Sequence, residues 1–295
     1  MNFKFNLIIF VIIFSVGFTF TSKVSSSNKS ESLIESLHFH KGKRQLYLSA
    51  HRGGRHIRNF PENAIATFEH TLSRVPNAIL EMDVSSTQDG QLILMHDKSL
   101  DRTTTASGIV VQKKWADIKN VMLLDDFGSI TPYFIPTFEE VLEWAKPRGT
   151  ILKIDIKRGV SYKKVIHTIE KMGMTNKVIL ITYTLDGVKK AYSITKKMMI
   201  SASIRNMQEW KRIKATGIPY KNLIAFTGTR MSDPKLYATL HKYGILCILG
   251  TMGNIDQKAL ARGQKVYHDC FVEGVDMLAT DKPVAALSAI HSYKE

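Results

Sequence analysis

The sequence predicts a (β/α)8 TIM barrel, and three observations carry that prediction. Short apolar runs recur at 45–50, 78–84, 150–157, 177–183, 198–204, 222–228, 244–250 and 275–280, which makes eight strand candidates. Helical stretches separate most of them, the alternation that a parallel sheet with crossover helices requires. The third run, TILKIDIK, alternates Leu152, Ile154 and Ile156 with Lys153, Asp155 and Lys157. Its apolar side chains leave one face and its charged side chains the other. Such a strand suits a barrel wall, with the apolar face against helices and the charged face lining a polar interior.

Size and composition fit one barrel. The chain has 295 residues with 44% hydrophobic content, enough for one large core and without a long Pro/Gly-rich interruption after Ser32. Lys4, the apolar run 7–20 and the Ser-rich patch 22–32 follow the charged, apolar, polar order of an exported leader. We therefore expect residues 1–22 to be a signal peptide or an uncleaved membrane anchor, 23–44 a polar linker, and 45–295 the barrel domain. Either leader places the domain outside the cytoplasmic membrane, periplasmic or extracellular. The net charge of +15 permits attraction to phosphate-bearing partners, including a membrane surface. Most lysines are scattered on helix faces and no arginine-rich or aromatic-interleaved stripe occurs, so nucleic acid is not an expected partner. Cys247 and Cys270 support neither a disulfide scaffold nor a cysteine metal site, and both read as packed thiols.

Taken in order, the first strand ends in His51-Arg52, and Pro61-Glu62-Asn63 is expected to open a helix reaching about Val75. The second strand, AILEMDV, sends Glu81 and Asp83 to one face. Two neighbouring carboxylates on a buried face ask for a cation or a basic partner. Only a few residues separate this strand from the run at 91–97, too few for a parallel crossover, so 91–97 should return antiparallel through the Gln88-Asp89-Gly90 turn. Counting back from that turn sets Asp83 opposite His96. The irregular stretch 100–136 reads as an insertion shielding the site, and FEEVLEWAK as a helix with Phe138, Val141, Leu142 and Ala145 on one face. His51, His96, Glu81, Asp83 and Asp155 thus fall near strand ends, on the carboxyl-end rim where barrels build their sites.

These pieces also match a family pattern. His51-Arg52-Gly53, Pro61-Glu62-Asn63, Glu81-Met82-Asp83-Val84, Thr87-Gln88-Asp89-Gly90, His96-Asp97, Arg102-Thr103-Thr104, Asp155-Ile156-Lys157 and Thr280-Asp281-Lys282-Pro283 occur in order, and the chain resembles the glycerophosphodiester phosphodiesterases from about Leu46 to Pro283. The resemblance implies hydrolysis of a small-molecule glycerophosphodiester to glycerol 3-phosphate and an alcohol with a divalent cation. The residues support that chemistry: Glu81, Asp83 and Asp155 offer hard oxygen donors suited to Ca2+ or Mg2+. His51 and His96 would share acid and base work, through a cyclic glycerophosphate. Arg52 and Lys157 would clamp phosphate, with Glu62 orienting Arg52. Taken singly, His51 or His96 reads more often as a hydrogen-bonded strand-end histidine, and Asp97 and Arg102 as holders of the turn. The chain departs from the family at Asp155, where many members carry Glu, and at Gly250-Thr251-Met252-Gly253-Asn254, where many carry Trp-Thr. Two other functions compete: cleavage of membrane phospholipid or lysophospholipid, and headgroup binding without catalysis by an envelope protein. The oligomeric state is left open.

Overall fold

The computed structural model describes residues 33–292, so the expected leader lies outside the described residues. Eight parallel strands form the barrel: β1 (Tyr47–Ala50), β2 (Ile79–Ser86), β6 (Leu152–Ile156), β7 (Val178–Thr182), β8 (Met199–Ser203), β9 (Leu223–Phe226), β10 (Cys247–Gly250) and β11 (Met277–Thr280). β1 pairs with both β11 and β2, through Tyr47↔Met277 and Ser49↔Ile79, and this closes the ring. The fold is the expected TIM barrel.

Strand alternation divides the packing into two cores. Outward side chains such as Leu80, Met82, Ile154, Leu180 and Ile200 meet helix residues such as Phe138, Val141, Val165 and Ile169. Inward side chains at the strand beginnings, Ile79, Ile179, Met199, Ile224, Ile248 and Met277, form a buried apolar plug at the amino end of the barrel. Each such side chain contributes roughly 1.5–3 kcal/mol on burial. Above the plug the inward positions turn polar, and the site begins there.

Residues 33–44 differ from the expected linker. A short helix, α1 (Leu33–Ser36), leads to Leu37, which packs into the plug, and Phe39 stacks on His241 at 3.7 Å. Arg44 then reaches Asp276 at 3.2 Å. Polar composition concealed two apolar anchors spaced two residues apart.

The return strand β3 (Leu92–Leu94) pairs antiparallel with β2 as expected, but its register is shifted by one. The Met95 amide donates to the Asp83 carbonyl at 3.0 Å, so Asp83 lies opposite Met95 and not His96. The cause is the turn: Thr87 and Gln91 close around three residues, with Gly90 at φ +83. A three-residue loop ending in a left-handed residue pairs the strands differently from an even-numbered one. His96 emerges just beyond the ladder.

The second helix also starts later than expected. α2 runs Ile65–Arg74, with Ala64 as its N-cap, because Asn63 is left-handed at φ 58. Pro61-Glu62-Asn63 is a turn held to β2: Asn63 Nδ2 donates to Asp83 Oδ2 at 2.8 Å and the Asp83 amide donates to Asn63 Oδ1 at 3.0 Å. These bonds to β2 hold the turn in a form that a helix could not adopt.

The insertion contains a short helix, α3 (Trp115–Ile118), and a hairpin, β4 (Met122–Leu124) with β5 (Ile130–Phe134). It has its own apolar cluster, including Met95, Leu100, Val110, Ile118 and Leu123. None of its residues lines the central cavity, so it does not shield the site as expected. It braces the site from the side. Asp126 accepts from Arg55 Nη2 at 2.5 Å and from the His56 amide at 2.6 Å, tying the hairpin turn to the loop after β1. A further helix, α4 (Phe138–Ala145), follows and buries the expected face.

Candidate active site

The site opens at the carboxyl ends of the strands. After β1 the chain makes one tight turn, His51–Gly53, in which Arg52 is left-handed at φ 51. A Cβ on Gly53 would come within 2.5 Å of the Phe68 ring, so the third position of this turn admits only glycine. The turn aims the Arg52 amide at Glu81 Oε2, 2.8 Å away, and its guanidinium at Glu62 Oε1, 2.9 Å away. Arg52 Nε also lies 3.4 Å from Asp83 Oδ2.

The parallel register of β2 and β6 sets Glu81 beside Lys153 and Asp83 beside Asp155. Glu81, Asp83 and Asp155 are all buried, and one oxygen from each lies within 4.8 Å of the others. Lys157 Nζ bridges two of them, 3.2 Å from Asp83 and 3.1 Å from Asp155. Burial and the neighbouring Asp83 push the Glu81 carboxyl up to about 7. Burial also raises Asp155. For Asp83 burial acts the same way, but Lys157 and Arg52 outweigh it and hold the carboxyl below its ordinary range.

Each histidine is fixed by its own carboxylate. His51 Nδ1 donates to Asp281 Oδ1 at 2.7 Å, and His96 Nδ1 donates to Asp97 Oδ1 at 2.6 Å. A carboxylate only accepts, so Nδ1 carries the proton and Nε2 is left for proton transfer. Asp97 in turn accepts from Arg102 Nε at 2.6 Å. Arg102 also donates to both oxygens of Glu62, at 3.0 and 2.8 Å. Both histidines and all three carboxylates line one cavity of roughly 150 Å³.

Residues 51–267 match the glycerophosphoryl diester phosphodiesterase family. The chain belongs to that family. It is 30% identical to a glycerophosphoryl diester phosphodiesterase from Parabacteroides distasonis, whose crystal structure superposes with a TM-score of 0.79, covering 88% of this chain and 90% of that one. A glycerophosphodiester phosphodiesterase from Caldanaerobacter subterraneus subsp. tengcongensis is 34% identical over 48% of this chain and 60% of its own length. A Bacillus altitudinis glycerophosphodiester phosphodiesterase is 32% identical over 45% of this chain and 56% of its own length. The chain thus spans less than two thirds of the curated relatives it matches. An Oleispira antarctica phosphodiesterase, solved in complex with the product sn-glycerol-3-phosphate, shares the fold at a TM-score of 0.66 and 16% identity, covering 84% of this chain and 97% of that one.

Among the residues singled out in the sequence, His51, His96, Glu81, Asp83, Asp155 and Lys157 come together on the cavity of this phosphodiesterase-family barrel. Arg52 and Glu62 do not line it. Arg52 is buried against Glu62 and Asp83, and Glu62 gathers Arg52, Arg55 and Arg102. In this arrangement they hold the carboxylates and the His96 turn, and Glu62 contacts Arg52 as the sequence suggests. Asp97 and Arg102 hold that turn as expected, and Asp97 also orients His96.

Three partners escaped the sequence reading. Tyr183 donates its hydroxyl to Asp155 Oδ2 at 2.9 Å, Asp281 holds His51, and Asn63 holds Asp83. Tyr183 continues the inward alternation of Ile179 and Ile181, which was its available signal. Asp281 is the first residue past β11, a position on the same rim.

The all-oxygen donors of Glu81, Asp83 and Asp155 fit a hard divalent cation. A second cluster, His241, Cys247 and Asp276, lies where β10 and β11 begin, away from the mouth. Its charge is already met: Asp276 pairs with Arg44 and with His241 Nε2 at 2.7 Å, and burial holds the Cys247 thiol well above its ordinary range.

Proposed function

We propose that this chain hydrolyses glycerophosphodiesters to glycerol 3-phosphate and an alcohol, using Ca2+ or Mg2+ held by Glu81, Asp83 and Asp155. The observation that carries the reading is the meeting of two carboxylate-oriented histidines with three buried carboxylates on one cavity. When bound, the cation would supply positive charge to a phosphate oxygen and acidify the glycerol hydroxyl. One histidine takes the proton from the glycerol 2-hydroxyl as its oxygen bonds to phosphorus. The other gives a proton to the alcohol oxygen as the opposite P–O bond breaks. The resulting cyclic glycerophosphate is opened by water with the two roles exchanged. Lys157, a point charge at the mouth, offsets negative charge on the phosphate.

The test is turnover of glycerophosphocholine and glycerophosphoethanolamine by purified protein with Mg2+ or Ca2+. His96→Ala is expected to lower kcat by about 10²–10⁴-fold, the range of general acid–base catalysis. Excess chelator is expected to abolish turnover. Activity that persists through both treatments would overturn the assignment, and any cation-stimulated turnover would dismiss a purely headgroup-binding role.

A membrane-facing version of the same chemistry has one observation behind it. Phe127, Ile130 and Phe134 of the insertion are 50%, 62% and 51% exposed, an apolar surface on a strongly basic chain. Turnover of lysophospholipid in vesicles exceeding that of water-soluble diesters would favour it. With its leader order, we also place the protein outside the cytoplasmic membrane, and cell fractionation tests this.

A further inference from the structure

The cavity residues that the reaction as written does not use include Lys153 and Ser201. Lys153 on β6 points inward two residues before Asp155 and is 3% exposed. Among the described residues no hydrogen bond or ion pair holds its ammonium, which feels the charges of Glu81 and Asp155 from a distance and lies 5.9 Å from the centroid of the Phe226 ring. Ser201 on β8 is 1% exposed, and its Oγ has no hydrogen-bond partner. Both residues line the cavity that holds the histidines and carboxylates. Ile179, Met199, Ile224 and Ile248 of the apolar plug close the amino end of the barrel.

Buried polar groups without partners are rare and ask for a ligand group. Lys153 only donates, whereas a serine hydroxyl donates or accepts. One oxygen can satisfy both if it accepts from Lys153 and gives its own proton to Ser201, which describes an alcohol hydroxyl. A choline or ethanolamine ammonium would meet the like charge of Lys153, so the cationic end of such a substrate belongs toward the open mouth. We propose that Lys153 and Ser201 form a floor that takes the terminal hydroxyl of the substrate's glycerol and so selects deacylated glycerophosphodiesters over lysophospholipids. The assignment rests on the reaction proposed above. An acyl ester at that oxygen has no proton to give, and its chain would run into the sealed plug.

The experiment compares two ligands by isothermal titration of the full chain with Mg2+: sn-glycerol 3-phosphate and 2-hydroxypropyl phosphate, which lacks only the terminal hydroxyl. Wild-type protein is expected to prefer the first by about tenfold, the size of one buried hydrogen bond. In Ser201→Ala and in Lys153→Met the preference should collapse toward unity. Should Lys153→Met fail to fold, Ser201→Ala, which removes one buried oxygen, carries the comparison. Equal binding by the wild type, a preference kept by either folded variant, or lysophosphatidylcholine turned over as well as glycerophosphocholine overturns the floor. A preserved binding preference with no turnover of any glycerophosphodiester removes the proposed reaction and leaves the floor standing.

Discussion

At the scale of single residues, the site works through fixed pairs. Burial alone would lower the His51 pKa, but the hydrogen bond to Asp281 and the fields of Glu81 and Asp281 outweigh it and hold the imidazole above its ordinary 6.5. Asp281→Asn keeps the burial and removes the compensating charge. The His51 titration, followed by NMR, should therefore move to lower pH, and a value that stays in place would show that Asp281 does not set it. Tyr183→Phe removes the hydroxyl that holds Asp155. Partners of this kind are worth about 10–100-fold in metal affinity, so Mg2+ binding should weaken by that order in a calorimetric titration. The motif residues could be read because each sits at a strand end beside a turn signal. Tyr183 and Asp281 could not be paired beforehand, since 28 and 230 residues separate them from Asp155 and His51 and only barrel closure brings them near. Arg52 could be singled out by type, but not its setting: three buried acids, Glu62, Glu81 and Asp83, surround it.

Among the elements, the strands were legible and their joints were not. Hydrophobic runs mark each barrel strand, yet the β2–β3 register depends on whether two or three residues form the turn at Gln88-Asp89-Gly90, which periodicity does not report. The start of α2 likewise depends on a side chain, Asn63, that bonds across to β2. α4 carries the clearest local signal. Thr137 Oγ1 accepts from the Glu140 amide at 3.2 Å, and the Thr137 amide donates to Glu140 Oε2 at 2.7 Å, a reciprocal cap. Thr137→Ala is expected to destabilise the protein by about 1 kcal/mol in chemical denaturation, with the native site unchanged in structure.

For the molecule as a whole, stability rests on a barrel without covalent cross-links among the described residues. Cys247 and Cys270 are free and buried, and burial pushes the Cys270 thiol up to about 11. Both should resist thiol reagents in the folded state and react on unfolding, and the Tm should be the same with and without reductant. Ile224, wholly enclosed in the plug, tests that layer: Ile224→Ala should cost about 2–5 kcal/mol by denaturant titration. The plug also governs traffic. A barrel stoppered at its amino end is a cul-de-sac, so whatever enters must back out through the doorway it came in by, and a spent fragment still lodged there bars the next arrival.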